Sequence, residues 1–353
     1  MQPVSQIDPN FKSQQCIQLP DVKFYDLQEH AHLLFGLSWD EQGYYRMPDA
    51  EASKVSEKVF ALCRHSSGGR VRFVTDSAYV AIRVKSPQRP IPAHISRIGC
   101  AGFDLYRNGV FCGIFAPPEG HATCYESVIH FPETGKGEFT LHFPLYTQVE
   151  LLEIGIQEGA VLEEAPPLPI QKTVVFYGSS ITQGACVSRP GLSYVNTLAR
   201  QLGCEILNLG FSGSALGETA MAEYIAALKP DVFVLDYEHN APTVEHLQNT
   251  HYAFYRTFRR LCPDTPVLML SSADLPFKRA SRTKRRQVIL STLEQGKREG
   301  DKKLFFLDGE TFYPQAFWDS CSVDTLHPND IGHLFMAEAI CPTLSTLLKK
   351  TAF

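Results

Sequence analysis

The second half of the sequence alternates short apolar runs with longer stretches of helical periodicity, and this alternation restricts the fold more than any other feature. Apolar strands that alternate with helices are typical of a parallel sheet covered on both faces. Residues 166–353 are therefore predicted to form a three-layer α/β domain with about five parallel strands. In such a domain the functional site is expected beyond the carboxyl ends of the strands. The predicted strands are KTVVFYG (172–178), EILNLG (205–210), PDVFVLDY (230–237), PVLMLSS (266–272) and KLFFLDG (303–309), and the predicted helices cover 191–202, 218–229, 243–261, 281–299 and 330–349.

The first 165 residues show a different sequence pattern, in which short runs of β-branched and aromatic residues lie between turn sequences such as SSGG (66–69). Short strands at about 8–12-residue spacing predict an all-β sandwich or jelly roll. The Pro-rich segment EEAPPLPIQ (163–171) is predicted to be a linker, since proline donates no hydrogen bond to a sheet. The chain is thus expected to divide into domains 1–165 and 166–353. The predicted strands of the first domain cover 69–76, 79–86, 103–115, 126–131, 138–143 and 149–156.

Composition and charge disfavour several functional classes. The 33 Lys and Arg residues against 38 Asp and Glu residues give a formal net charge of −5, which disfavours a general nucleic-acid binder. No apolar run approaches the ~18–20 residues of a membrane span. The N-terminus lacks the basic and apolar regions of a secretory signal, so a cytoplasmic location is expected. The ten cysteines show no C-x-x-C spacing and no zinc-like cluster with histidine; they are expected to be buried free thiols, and no metal or cofactor is expected.

Small and polar residues gather at three predicted strand ends and on the loop before the last helix. The segments are YGSSITQG (177–184), NLGFSGSALGE (208–218), DYEHNAP (236–242) and SVDTLHPNDIGH (322–333). A serine between a strand and a helix presents its hydroxyl at the sheet edge, where the helix N-terminus favours negative charge. Taken singly, each of the first three segments also fits a plain turn, and Asp-x-x-His recurs by chance. A phosphate-binding loop is a further alternative for the first segment, but no Gly-Lys-Ser/Thr follows it.

The order and placement of these four segments resemble the SGNH, or GDSL-type, hydrolase superfamily over about residues 170–345. The resemblance implies a flavodoxin-like α/β domain in which Ser180 is the nucleophile and Asp324 and His327 complete a catalytic triad. It further implies an oxyanion hole formed by the backbone N–H groups of Ser180 and Gly213 and by the side chain of Asn240.

Two positions depart from the family pattern, and one nearby histidine lies outside it. Ser179 replaces the Asp of the first motif, where that Asp has a supporting role. Glu238 replaces the Gly that usually precedes the oxyanion Asn by two residues, so the resemblance does not specify the local backbone there and supports Asn240 less strongly. His333 falls within the last predicted helix and is expected to be structural.

The first half also resembles a known domain. AGFDLYRNG (101–109) is similar to the Gly-x-Asp-Leu-Tyr signature of a β-sandwich domain found before some SGNH hydrolases. Considered from the residues alone, Asp104 and Tyr106 are expected to hold a turn. The aromatic-rich segment 33–48 is expected to pack in the core or between domains, with a sugar site as the alternative. The basic stretch FKRASRTKRRQ (277–287) is expected to be the solvated start of a helix, with contact to an anionic partner as the alternative.

Taken together, the resemblance implies a serine esterase that removes a short acyl group, in particular acetyl, from a carbohydrate or small metabolite through an acyl-serine intermediate. An acyltransferase with the same triad and an inactive carbohydrate-binding protein are the alternatives. The expected partner is a small-molecule or carbohydrate ester, without nucleic acid and without a membrane span. The oligomeric state stays open.

Overall fold

The computed structural model describes residues 7–8, 15–87, 90–118, 123–133, 135–273 and 279–350. Within these ranges an antiparallel β-sandwich precedes an α/β domain with a parallel sheet, which confirms the predicted fold class. Residues 277–278 of the basic stretch lie outside the described residues.

The first half is made mainly of short strands. They are β1 Val22–Asp26, β2 Leu34–Phe35, β3 Ser38–Asp40, β4 Gly43–Tyr45, β5 Arg70–Thr75, β6 Tyr79–Lys85, β7 Phe103–Arg107, β8 Val110–Phe115, β9 Cys124–His130, β10 Gly137–His142, β11 Leu151–Gln157 and β12 Glu163–Glu164, with helices α1 Asp49–Val55, α2 Glu57–Leu62 and α3 Arg97–Ala101. One antiparallel sheet has the order β1-β11-β6-β9, and the other has the order β12-β5-β10-β7-β8 with β2 beside β5. Phe73, Phe103 and Phe139 of the second sheet share a buried core with Ile82 and Ile154 of the first.

The second half alternates strands with helices. Its elements are β13 Ile170–Gly178, α4 Ser180–Gln183, α5 Tyr194–Leu202, β14 Cys204–Gly210, α6 Thr219–Ala227, β15 Val232–Asp236, α7 Val244–Leu261, β16 Val267–Leu270, α8 Arg279–Arg298, β17 Leu304–Leu307 and α9 Asp330–Lys350. The parallel sheet has the order β14-β13-β15-β16-β17. The second strand along the chain, β14, lies on one side of β13, and the three later strands lie on the other side, so the strand order reverses at β13. The register pairs Gly178 with Gly210 and with Asp236, which brings three strand ends together at one edge. A crevice above such a reversal of strand order is where α/β domains bind ligands.

Helices cover both faces of the parallel sheet. On one face α6, α7 and α8 bury residues such as Met221, Phe254 and Ile289, and on the other α5 and α9 bury residues such as Leu198 and Ile340. Burial on both faces explains why the strands read as continuous apolar runs.

The aromatic-rich segment 33–48 packs in the core and between the halves, as expected. Tyr44 is fully buried in the sandwich core, whereas Met47 is fully buried in the core of the α/β domain. Ala52 of α1 and Val59 of α2 are buried in the core of the α/β domain together with Met47. The two halves therefore share apolar side chains rather than meeting only at the linker.

One helix among the described residues, spanning Asp330–Lys349 within α9, is long and apolar enough to cross a membrane by length and composition alone. This helix is an exception to the expectation that no part of the chain approaches the length and composition of a membrane span. Met336, Ile340 and Leu344 of this helix pack in the domain core, and a core helix passes the same test.

All ten cysteines are free. Five of them are buried, but Cys16 and Cys124 are exposed, so the expectation of buried thiols is wrong for those two positions.

Candidate active site

Ser180 lies at the junction of β13 and α4. The strand ends at Gly178, and Ser179 caps the helix with its Oγ, which accepts a hydrogen bond from the backbone N–H of Ile181 at 3.2 Å. Ser180 is the first helical residue, and its backbone N–H has no acceptor within the helix. Gly184 ends this single turn with φ of +99°, a left-handed conformation that favours glycine. The tight turn thus presents Ser180 at the sheet edge.

Two strand ends have no room for a side chain. A Cβ atom on Gly178 would overlap Thr182 Oγ1, and one on Gly210 would overlap the backbone of Gln183. The glycines of the first two polar segments therefore let α4 pack directly on the ends of β13 and β14.

His327 and Asp324 reach Ser180 from the loop before α9. His327 Nε2 lies 2.9 Å from Ser180 Oγ, and His327 Nδ1 lies 2.7 Å from Asp324 Oδ2. An isolated bridge between Ser322 and Pro328 closes the loop, in which Thr325 has φ of +67°. The structure therefore brings the three residues of the expected triad into one hydrogen-bonded chain.

The loop also holds Asp324 in its ionised form. Burial opposes ionisation, but the backbone N–H and ring of His327 and the backbone N–H of Leu326 outweigh it, and they lower the pKa of Asp324 to about 2. An ionised Asp324 beside Nδ1 directs that nitrogen to carry the proton, which leaves Nε2 free to accept the Ser180 proton.

The three expected oxyanion donors surround the same edge. Gly213 has φ of +65°, and no atom lies within 4 Å of the position that its Cβ would take. Asn240 ends a 3₁₀ turn, and its Nδ2 donates to the Phe211 carbonyl at 2.8 Å, so its side chain lies against the turn that carries Gly213. A side-chain amide has two N–H groups, and the second can reach a ligand.

Gln183 is a site residue that the sequence analysis did not identify. Its side chain is fully buried: Oε1 accepts from the Ser212 backbone N–H at 3.0 Å, and Nε2 donates to the Leu145 carbonyl at 3.0 Å. Nε2 also lies 3.0 Å from His65 Nδ1. The side-chain amide of Gln183 therefore connects α4, which carries Ser180, to the turn before Gly213 and to the sandwich. Its position three residues after Ser180 carries no signal of this role.

The sandwich contacts the strand ends through two further residues. Ser67 Oγ donates to the Gln183 carbonyl at 2.6 Å and accepts from Asn208 Nδ2 at 3.0 Å. The buried Arg46 donates through Nη1 to the carbonyls of Asn208 and Gly210, and burial lowers its pKa to about 10. The first half therefore forms part of the scaffold under the site.

Asp104 and Tyr106 lie in β7 and hold the 3₁₀ turn Pro190–Leu192 of the second half, so the expectation that they hold a turn is confirmed. Arg189 Nη1 donates to Asp104 Oδ2 at 2.6 Å and to Tyr106 Oη at 2.7 Å, and Gly191 N–H also donates to Asp104 at 2.8 Å. Asp104 is fully buried, and its other oxygen lies 3.0 Å from His142 Nδ1. The motif is a buried contact between the halves.

Glu238 occupies the place of the usual glycine as a buried structural acceptor. It accepts hydrogen bonds from the backbone N–H and the Oγ of Ser272, each at 2.9 Å. Burial raises its pKa. Its carbonyl accepts from Arg285 Nη1 at 2.9 Å. The side chain thus ties the Asn240 turn to the end of β16.

Three arginines of the basic stretch are held by the protein. The buried Arg282 donates to the Ala273 carbonyl, Arg285 donates to the carbonyls of Glu238 and Ala241, and Arg286 pairs with Asp308. The expectation of a solvated helix start is wrong for these three residues, although Lys284 is exposed.

Two buried titratable groups lie beside the site. Asp236 accepts from Thr182 Oγ1 at 3.0 Å and from Tyr194 Oη at 2.8 Å, and burial raises its pKa to about 7. His333 lies 3.2 Å from the Tyr194 backbone N–H through Nδ1 and 3.0 Å from the Ala185 carbonyl through Nε2. Burial lowers its pKa to about 4, and these backbone contacts are the structural role expected for it.

One group of potential metal ligands lies at the site. His94, from the first half, joins Cys186 and His327, with one ligand atom of each within 4.8 Å of the others. Local sequence patterns do not reveal this set, because its three residues are far apart in the chain.

Comparison with known proteins identifies the family of each half of the chain. Residues 171–345 match the family model described as GDSL-like Lipase/Acylhydrolase family, and residues 22–162 match the model described as N-terminus of Esterase_SGNH_hydro-type. No curated protein matches the chain.

Solved structures share the architecture over both halves. A Bacteroides ovatus protein described as a GDSL-like lipase is 28% identical, with a TM-score of 0.85 over 93% of this chain and 98% of that one. A salicylyl-acyltransferase from a tetracycline biosynthetic pathway is 20% identical, with a TM-score of 0.75 over 93% and 95%. An acetyl xylan esterase from the rumen bacterium Butyrivibrio proteoclasticus is 13% identical, with a TM-score of 0.60 over 93% and 99%. The last two show the fold alone.

Both halves of the chain are thus accounted for by models of one kind of enzyme. The chain belongs to the GDSL-like lipase/acylhydrolase family, with the N-terminal domain of SGNH-hydrolase-type esterases, and is a hydrolase that acts on ester bonds.

Proposed function

We propose that the protein is a serine esterase that removes a short acyl group, with acetyl first, from a carbohydrate or related small metabolite. The observation that carries the proposal is the hydrogen-bonded chain from Ser180 Oγ through His327 to Asp324, with distances of 2.9 Å and 2.7 Å. A base within hydrogen-bonding distance of a hydroxyl is what nucleophilic attack by serine requires.

In the proposed reaction Ser180 Oγ attacks the ester carbonyl while His327 Nε2 takes the hydroxyl proton. His327 then returns that proton to the departing alcohol oxygen, which leaves an acyl group on Ser180. A water molecule, deprotonated by the same nitrogen, attacks the acyl carbon, and the proton passes back to Ser180 Oγ as the carboxylic acid leaves. Asp324 stabilises the imidazolium in both halves of the cycle.

The oxyanion that forms in each half is proposed to bind at three donors: the N–H of Ser180, the N–H of Gly213 and Nδ2 of Asn240. The contact of Asn240 Nδ2 with the Phe211 carbonyl supports this, because it holds the Asn240 side chain against the turn that carries Gly213. Such donors act strongly because they are fixed before the charge develops.

One comparison supports a short acyl group on a carbohydrate. The acetyl xylan esterase shares both halves of the architecture, and its name gives acetyl as the acyl part and a carbohydrate as the alcohol part of its ester.

A larger apolar or aromatic acyl group is the second candidate. Four apolar side chains of the His327 loop and the segments beside it are 42–49% exposed, namely Phe317, Val323, Ile331 and Leu334. The Val323 N–H donates to the His327 carbonyl, so the backbone of this residue lies beside that of the base. The salicylyl-acyltransferase fold adds support for an aromatic acyl group and for an alcohol in place of water.

The test is hydrolysis of p-nitrophenyl esters from acetyl to decanoyl and of a p-nitrophenyl salicylate by wild type and Ser180→Ala, with Ser53→Ala as control. Ser53 is an exposed serine on α1. The proposal predicts the highest kcat/KM on acetyl, a loss of at least about 10³-fold in Ser180→Ala and no loss in Ser53→Ala.

A maximum on longer or aromatic esters would favour the second candidate. Faster release of p-nitrophenol on adding an alcohol, with the alcohol ester as product, would favour acyl transfer. Hydrolysis that is equal in wild type and Ser180→Ala would contradict the proposed nucleophile.

A further inference from the structure

His94 is brought to the base by a short segment of the sandwich. Ile95 packs in a small core with Cys186 and Val187, and Ser96 Oγ donates to the carbonyls of Val187 at 3.1 Å and Ser188 at 2.7 Å. These contacts hold the residues after His94 against the loop that follows α4. The His94 ring lies 5.6 Å from the His327 ring, centroid to centroid.

Cys186 lies on the loop that follows α4, and it is close to both His94 and His327. It is 7% exposed and has φ of +69°, an uncommon conformation for a residue with a side chain. The mechanism proposed for ester hydrolysis assigns no task to Cys186 or His94. Yet one ligand atom from each, and one from His327, lie within 4.8 Å of one another.

We propose that His94, Cys186 and His327 bind a zinc ion. Imidazole nitrogen and thiolate sulfur are the donors that Zn²⁺ prefers, whereas Mg²⁺ and Ca²⁺ prefer oxygen. With bonds of about 2.0–2.3 Å, tetrahedral ligand atoms lie about 3.3–3.7 Å apart, so the exposed His94 has at most about 1.5 Å to move. Three protein ligands leave a fourth position for water or Ser180 Oγ.

The second shell of this site is already formed. Asp324 lies 2.7 Å from His327 Nδ1, which leaves Nε2 as the ligand atom. A carboxylate behind a histidine in this way orients the ring and strengthens its bond to a metal. Zinc binding replaces the Cys186 thiol proton, which passes to solvent.

Zinc at this position inhibits the reaction, a consequence that rests on the proposed function. His327 Nε2 cannot bind the metal and accept the Ser180 proton at the same time. The binding itself does not depend on catalysis and is measured separately.

The test uses the full chain, freed of metal by dialysis against EDTA, with Co²⁺ as a spectroscopic probe and Zn²⁺ titrated by calorimetry. The ligand variants are His94→Ala and Cys186→Ser. The matched controls are His32→Ala, an exposed histidine, and Cys204→Ser, a buried cysteine in the core of the α/β domain. We expect one Co²⁺ per chain, with a thiolate-to-cobalt band that Cys186→Ser abolishes. Zinc affinity should fall by at least about 10-fold in each ligand variant and stay unchanged in the controls.

The same preparations are assayed for ester hydrolysis with rising Zn²⁺. The concentration for half-inhibition should rise by at least about 10-fold in His94→Ala, and EDTA should restore wild-type activity. A thiolate band that persists in Cys186→Ser, or equal zinc affinity in His94→Ala and wild type, would overturn the site. The two proposals can fail separately. If wild type binds one zinc ion per chain and both ligand variants lose this binding, the site is supported. If the same wild-type protein shows no Ser180-dependent hydrolysis, the proposed function is contradicted.

Discussion

Asp324 is the member of the triad whose state the structure defines most closely. With its pKa lowered to about 2, it is ionised throughout the neutral range. Asp324→Asn keeps the shape but removes the charge and allows the wrong tautomer of His327. We expect kcat to fall by about 10²–10⁴-fold with KM little changed. The measurement is steady-state hydrolysis of p-nitrophenyl acetate, with the exposed Asp319→Asn as control. An equal loss in both variants would contradict the role given to Asp324.

Asp236 makes the stability of the fold depend on pH. Its pKa rises from 3.8 to about 7 on burial, so between those values the folded chain holds a proton that the unfolded chain has released. The unfolded state then binds fewer protons, and the free energy of unfolding falls as pH rises through this window. The total effect is up to about 4 kcal/mol.

Asp236→Asn should therefore lose less stability than wild type between pH 5 and pH 8. Urea unfolding at the two pH values measures this, with Asp319→Asn as an exposed control. Wild type and Asp236→Asn with the same change in unfolding free energy would show that Asp236 is not the cause.

At the scale of elements, the short helix α4 depends on contacts made by Gln183. Gln183→Ala leaves the Ser212 N–H and the Leu145 carbonyl without their partner. We expect a loss of about 2–3 kcal/mol in unfolding free energy and about a 10-fold lower kcat, because Ser212 precedes the Gly213 donor. Urea unfolding and p-nitrophenyl acetate kinetics check this.

Gln201→Ala, on the exposed side of α5, is the control. Gln183→Glu keeps an oxygen that can accept from Ser212, so it should recover part of kcat relative to Gln183→Ala. A variant that loses stability but keeps the wild-type kcat would limit Gln183 to a structural role.

Local periodicity predicts the elements of the second half well. Every predicted strand of the parallel sheet ends within two residues of its observed bounds, for example 172–178 against Ile170–Gly178. Two-sided burial causes the continuous apolar runs, so the pattern and the structure have one physical origin. The position of Ser180 follows from the same argument, because it directly follows a strand end. His327 lies on the loop before α9, and its role came from the family resemblance.

Contacts between the halves could not be predicted in this way. Asp104 and Arg189 are 85 residues apart, and nothing in either local sequence specifies the other. The residues alone indicated that Asp104 and Tyr106 hold a turn but not that this turn lies in the second half, and Arg46 and His94 gave no signal. Polar contacts between the halves depend on how the sandwich and the α/β domain pack against each other. The local periodicity of the sequence predicts strands and helices but not this packing.

For the whole molecule, the shared core and the buried Asp104 contact predict that both halves unfold together. The chain has two tryptophans, Trp39 in the first half and Trp318 in the second, so Trp318→Phe and Trp39→Phe each leave one reporter. We expect the two variants to show one common urea midpoint. Two separate midpoints would contradict the coupling.

Asp104→Asn should lower both midpoints, with a loss of about 3 kcal/mol, because it leaves the buried Arg189 contact without its countercharge. Glu163→Gln, in an exposed pair with Lys136, should change stability by less than about 1 kcal/mol. A loss of similar size in both variants would show that burial of Asp104 has no special effect.

Ser180 is proposed to be the nucleophile of the protein, and labelling of the native chain with a fluorophosphonate, followed by intact-mass and peptide mass spectrometry, tests this most directly. We expect one adduct per chain, located on Ser180, absent in Ser180→Ala, retained in Ser53→Ala and slowed in Asp324→Asn. An adduct on another residue, or a chain that stays unlabelled while it hydrolyses esters, would contradict this proposal.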